Sequence, residues 1–209
     1  KDRYNNQFYV EPFCGGCNAI NLVKGNRIAS DNNEYLIALY NALKSGWIPN
    51  EMYSKEQHTF VKDNVDLVDK HIVGYIGFCC SFSGKFLSGY AGAHISGRNY
   101  QKERRSNLLK TFDKNIEYIY SEYYNLDIPP NSIIYCDPPY AGTTGYKTGS
   151  FNHEKFWGWC TDMANLGHTV FVSEYSAPSL INIYVISCKC NLSLNRSSVR
   201  GMPPEPNLR

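Results

Sequence analysis

The run Gln7-Phe8-Tyr9-Val10-Glu11-Pro12-Phe13-Cys14-Gly15-Gly16 decides the fold. It opens on β-prone residues and breaks at a proline and a glycine pair. A helical pattern from about Asn18 to Lys24 follows, and Gly25 stops it. Arg27-Ile28-Ala29-Ser30-Asp31 then reads as a second short strand that ends in an acid. Asn33 to Ser45 reads as an amphipathic helix, with Leu36, Leu39, Tyr40 and Leu43 on one stripe. Strand, glycine turn, helix, strand with a terminal acid, helix is the opening of a doubly wound α/β sheet.

Further along, the pattern is interrupted and then resumes. Ser54 to His71 reads as helical with mixed charge. Residues 81–102 are rich in Gly, Ser and Tyr, which predicts loops and short hairpins, and Lys102 to Tyr123 reads as a helix. Ser132-Ile133-Ile134-Tyr135-Cys136 predicts a buried strand, bracketed by Pro129-Pro130 and by Asp137-Pro138-Pro139-Tyr140. Asn152-His153-Glu154 predicts the cap of a helix that reaches about Leu166 and stops at Gly167. Thr169 to Ser173 and Ile183 to Ile186 read as further strands, and the tail, with three prolines in 203–206, as irregular.

The bulk properties exclude several classes. A chain of 209 residues can bury a core without disulfide staples. Its hydrophobic content of 43% marks it as globular. No apolar run approaches the roughly 20 residues of a membrane-spanning helix, and no signal peptide opens the sequence. Eight Cys include the adjacent pair Cys79 and Cys80, with Cys136 and Cys160 in apolar surroundings. They read as reduced thiols packed as small hydrophobes. Cys14-x-x-Cys17 with Cys188-x-Cys190 is a formal zinc pattern, but the first pair flanks the glycines that should receive a ligand, so no metal site is expected. The five His show no helical metal spacing.

Two places carry chemistry. Gly15 and Gly16 after a strand allow close backbone approach to a ligand, and Asp31 stands at the end of the next strand. There it can hold the two ribose hydroxyls of an adenosine. The bland alternative is a tight turn and a helix-capping Asp. The second place is Asp137-Pro138-Pro139-Tyr140, over the carboxyl ends of the strands. Two prolines fix φ and remove two backbone donors. The loop therefore offers acceptors, the Asp137 carboxylate and the Pro138 carbonyl, beside the flat face of Tyr140. That suits an exocyclic amine on a stackable ring. The bland alternative is a proline turn after a strand.

These segments together resemble the Dam-like, D12 class of adenine-N6 DNA methyltransferases. Tyr9-Val10-Glu11-Pro12-Phe13-x-Gly15-Gly16 resembles the family's S-adenosyl-L-methionine motif, and Ser30-Asp31-x-Asn33 its acidic second motif. Phe82-Ser83-Gly84-Lys85-Phe86 is similar to the segment that begins the recognition region. Tyr135-Cys136-Asp137-Pro138-Pro139-Tyr140 resembles the catalytic motif, and Phe151-x-His153-x-x-Phe156 and Val172-Ser173-Glu174-Tyr175 the later ones. The resemblance implies a Rossmann-like doubly wound fold that binds S-adenosyl-L-methionine through Glu11, Phe13, Gly15, Gly16, Asp31 and Asp137. It implies catalysis by Asp137, Pro138, Pro139 and Tyr140 on an adenine flipped from double-stranded DNA, without a metal. It further implies a bacterial or phage-encoded cytoplasmic enzyme. Residues 1–80 and 126–209 would form the catalytic domain and 81–125 a target-recognition insertion. The family's lysine-bearing motif is missing from residues 1–8, and the chain opens on Lys1, so the natural protein is expected to begin further upstream.

The formal charge of +2 divides unevenly. Residues 84–114 hold seven basic and two acidic side chains, a net +5, and the rest of the chain carries −3. Within that segment Lys85, Arg98, Arg104 and Arg105 are the expected phosphate contacts, with Tyr90 and Tyr100 interleaved. A solvated helix face is the plainer reading of the same charges. Two other functions stay open on this sequence, a base methyltransferase acting on RNA and a non-catalytic DNA-binding relative.

Overall fold

The computed structural model describes residues 7–92, 97–140, 151–174 and 178, and the backbone of one further strand at 184–187. The strands are β1 (Tyr9–Glu11), β2 (Arg27–Asp31), β3 (Glu117–Tyr120), β4 (Ile133–Cys136), β5 (Thr169–Glu174) and β6 (Tyr184–Ser187). They form one sheet in the order β3-β2-β1-β4-β5-β6, and every neighbouring pair is parallel. This is the doubly wound order, and the strand order reverses between β1 and β4. The fold expected from the sequence is the one observed.

The strands read as apolar because both faces of the sheet are covered. Registered residues in parallel strands point to the same side, so pairings such as Glu11 with Ala29 and Ala29 with Tyr118 assign the faces. Tyr9, Ala29 and Tyr118 belong to the cluster built with α1 (Glu34–Lys44) and α3 (Lys70–Cys79). Ile134, Cys136, Val170 and Val172 lie on the opposite face and pack with Phe156 and Cys160 of α5 (His153–Asn165).

Helix α1 starts where Asn33 accepts the Leu36 amide at 3.0 Å, and it buries Leu36, Ile37, Leu39, Tyr40 and Leu43. It lies close against α3 because Gly74 has no side chain. A Cβ at Gly74 would collide with the Tyr35 carbonyl. Asn152 caps α5 in the same manner, accepting from the Lys155 amide at 2.9 Å.

Three expectations are corrected. Between β1 and β2 the predicted helix is a single 3-10 turn, Ile20–Leu22. The Arg27 side chain reaches back to the carbonyls of Gly25 and Ile20, at 3.3 and 3.5 Å, and closes the connection after that one turn. The segment 54–71 breaks after α2 (Lys55–Asp63), where the Asn64 side chain takes the Phe60 carbonyl at 2.8 Å. The helix predicted to reach Tyr123 ends as α4 (Tyr100–Thr111). Asp113 accepts the Asn115 amide at 2.9 Å and pairs with the buried Arg27 at 2.7 Å. That turn drops Ile116 and Tyr118 into the core and makes β3 a strand within the segment expected to be an insertion.

Helix α4 has no apolar stripe of its own, and Gln101 is its one fully buried side chain. The Gln101 amide accepts from the Tyr53 amide at 2.9 Å and the Cys80 thiol at 3.4 Å. It donates to the carbonyls of Tyr53 and Ala91, at 3.1 and 3.0 Å. All four hydrogen-bonding positions of the side chain are used, which ties α4 to Tyr53, to Ala91 and to Cys80 at the end of α3.

Candidate active site

The strand register brings four polar side chains to one face of the sheet at its carboxyl edge. Glu11 ends β1, Asp31 ends β2, Asp137 follows β4, and Ser173 lies near the end of β5. Glu11 and Asp137 flank the switch point between β1 and β4, where doubly wound sheets bind ligands.

Glu11 is only 3% exposed and accepts one side-chain hydrogen bond, from the Tyr9 hydroxyl at 3.1 Å. Burial pushes its carboxyl up to about 7, and the Asp137 charge adds to the rise. The Tyr9 hydroxyl and the Ile20 backbone oppose it. Perturbed carboxyls of this kind cluster at functional sites.

Asp31 ties two loops together. One oxygen accepts the Gly15 amide at 3.1 Å and the other the Asn33 amide at 2.9 Å. Burial raises its pKa against those hydrogen bonds. Gly15 has φ +43, and the Tyr40 hydroxyl holds its carbonyl at 2.8 Å. The glycine amide expected at a helix start is therefore turned onto Asp31. Gly16 is exposed. Phe13 packs in the opposite direction, into the aromatic cluster beneath the other face, with ring centres 5.3 Å from Tyr123 and 5.6 Å from Phe156. Cys14 and Cys17 are buried side by side, and their mutual hydrogen bond, followed by burial, pushes the Cys14 thiol up.

In the Asp137-Pro138-Pro139-Tyr140 segment Asp137 is exposed, Pro138 is buried and Pro139 is half-buried. The Tyr140 hydroxyl donates to Asp137 Oδ1 at 2.8 Å and lies 3.0 Å from Ser173 Oγ. Cys136, just before the loop, is buried against Cys160, which pushes its thiol up and leaves it an inert packing group. Ser173 and Tyr9 stand in two of the motifs quoted above, but neither is among the expected site residues. Only the parallel register and the i, i+2 spacing on β1 bring them to Asp137 and Glu11. Tyr175, Cys188 and Cys190 lie outside the described residues.

The basic residues divide into two kinds. Arg104 donates to the carbonyls of Phe78 and Ser81, at 2.8 and 2.9 Å, and Arg105 to that of Pro49 at 2.8 Å. Both are half-buried and hold α4 in place. Arg98 is exposed, pairs with Glu103 at 2.8 Å and lies over the Tyr100 ring. Lys85 is exposed in the turn after Phe82–Gly84.

A protein-family model for the D12 class N6 adenine-specific DNA methyltransferases matches residues 48–183. The chain belongs to that family. As a D12 methyltransferase it is an adenine-specific DNA methyltransferase, and DNA is its substrate. A comparison with curated proteins found no match. The family match spans Asp137 and the whole basic segment, and Glu11 and Asp31 lie ahead of it. Among the described residues no group of His, Cys, Asp and Glu could hold a metal ion, and no helix is long and apolar enough to cross a membrane.

Proposed function

We propose that the enzyme transfers a methyl group from S-adenosyl-L-methionine to N6 of an adenine swung out of duplex DNA. The observation that carries this is the pair Glu11 and Asp137 across the β1/β4 switch point. One carboxyl is buried and raised, and the other is exposed in a loop that offers acceptors.

The residues present fit the methyl donor. Its methionine part carries a sulfonium and an ammonium beside one carboxylate, and Glu11 is a buried carboxyl with no cationic side chain among its partners in the described residues. Asp31 and the Gly15–Gly16 turn sit one strand over, where a ribose would lie. When bound, S-adenosyl-L-methionine supplies an electrophilic methyl group on a sulfonium. Asp137 and the Pro138 carbonyl accept from the two N6 hydrogens of the adenine. That draws the nitrogen lone pair out of conjugation and orients it, so the rate comes from positioning and electrostatics. Tyr140 stacks on the base, which must leave the duplex to reach the loop. The catalytic body comprises the residues up to about 80 and those from the β3 strand onward. The recognition insertion expected over 81–125 is shortened to about 81–112, because residues 117–120 are a sheet strand. Lys85 and Arg98 suit phosphate contacts from that insertion, whereas Arg104 and Arg105 support it.

The test is Asp137→Ala, assayed with labelled methyl donor against duplex DNA and structured RNA. Loss of label from DNA with an unchanged melting curve is expected, because Asp137 is exposed. Near-normal DNA methylation by the variant, or preferential labelling of RNA, would sink the assignment.

A further inference from the structure

The Tyr140 hydroxyl stands between Asp137 Oδ1, at 2.8 Å, and Ser173 Oγ, at 3.0 Å. A phenol has one proton and a carboxylate has none to give. While Tyr140 donates to Asp137, the bond to Ser173 must run from the serine hydroxyl to the tyrosine oxygen. On the proposed reaction the adenine amine also donates to Asp137 and so competes with Tyr140 for the carboxylate. Where the base takes Oδ1, the Tyr140 hydroxyl turns to Ser173 Oγ, the acceptor within reach at 3.0 Å.

We propose that Ser173 is a positioning residue for Tyr140, donating to its hydroxyl in the resting enzyme and accepting from it once the base has taken Asp137. The inference rests on the function proposed above. Its atoms balance without proton transfer, because each hydroxyl keeps its own hydrogen and only rotates.

The placement suits the role. Ser173 is 2% exposed and lies on β5, paired with β4 on one side and β6 on the other. Tyr140 follows two prolines, which have no backbone N–H to tie that stretch to its neighbours. An anchor on a sheet strand thus holds a ring that follows a donor-poor stretch of backbone. A group that both donates and accepts is needed, which Ser and Thr supply and Ala does not.

The test compares Ser173→Ala, Ser173→Thr, Tyr140→Phe and the Ala/Phe double variant in the full chain, by methyl transfer to genomic DNA. Ser173→Ala should lower kcat by about fivefold to tenfold, the worth of one hydrogen bond. It should leave KM for S-adenosyl-L-methionine unchanged, and Ser173→Thr should stay close to wild type. In the Tyr140→Phe background Ser173→Ala should add nothing. No loss in the wild-type background, or an equal loss in both, overturns the proposal. If the wild-type enzyme methylates no DNA, the proposed function has failed, and a tyrosine-ring carbon-13 spectrum decides this contact alone. A Tyr140 resonance that moves in Ser173→Ala supports it, and one that stays overturns it.

Discussion

Replacing Glu11 with glutamine should make the free enzyme more stable at alkaline pH while weakening its cofactor binding. The carboxyl stands at an ordinary 4.5 in the unfolded chain and at about 7 in the fold. Between those values the folded state holds a proton that the unfolded state has lost, so stability falls as pH rises through the window. Below about pH 4 both states are protonated and Glu11 contributes nothing. Above about pH 8 both are ionised and the full penalty is present. At 1.36 kcal/mol per unit, the difference amounts to about 3 kcal/mol as an upper figure. Glutamine cannot ionise, is nearly the same size, and can still accept from Tyr9. Glu11→Gln should therefore match wild type near pH 4 and exceed it by about 2–3 kcal/mol at pH 8, which raises Tm by roughly 5 °C or more in a chain of this length. The assay is denaturant unfolding across that range, with and without S-adenosyl-L-methionine. A cationic ligand beside Glu11 favours the ionised form, so binding near pH 7 should release a proton, detectable by calorimetry in buffers of different ionisation enthalpy. A pH-independent difference between variant and wild type, or proton uptake on binding, would refute the reasoning.

Other substitutions probe the scaffold. Gly74→Ala should destabilise the enzyme severely, by about 3 kcal/mol or more, because a methyl group meets the Tyr35 carbonyl in a close-packed helix crossing; thermal melting reads this directly. Gln101→Leu should cost about 2–3 kcal/mol, since it strands the Tyr53 amide and two carbonyls; hydrogen exchange should show α4 opening before the sheet. Lys85→Ala should weaken DNA binding with little effect on melting and lower the salt-dependence slope by about 1. Arg104→Ala should instead lower the melting temperature, because it removes two hydrogen bonds to carbonyls.

The elements best read from sequence are those with local causes. Asn33 and Asn152 cap α1 and α5 at the expected positions, and the apolar strands β2, β4 and β5 need no knowledge of their neighbours. The misread elements share a different cause. The stretch Ile20–Leu22 stays a single turn where Arg27, seven residues on, reaches the Ile20 carbonyl. The helix expected to reach Tyr123 stops because Asp113 finds Arg27 across 86 residues. A periodicity window of some dozen residues cannot hold the second pair, and although it holds the first, it scores apolar spacing and not a side chain turned back onto a carbonyl.

The site divides along the same line. The sequence by itself determined which groups are on offer, acceptors at Asp137 and Pro138 and a glycine turn followed by Asp31, because residue type and proline geometry are local properties. Tertiary structure alone decided which groups act together. Parallel register places Ser173 beside Tyr140, and burial at the switch point lifts the Glu11 carboxyl. Packing of α4 turns Arg104 and Arg105 inward onto carbonyls and leaves Lys85 outside. Charge and polarity are written residue by residue, but solvent exposure and hydrogen-bond partners exist only once distant segments have met.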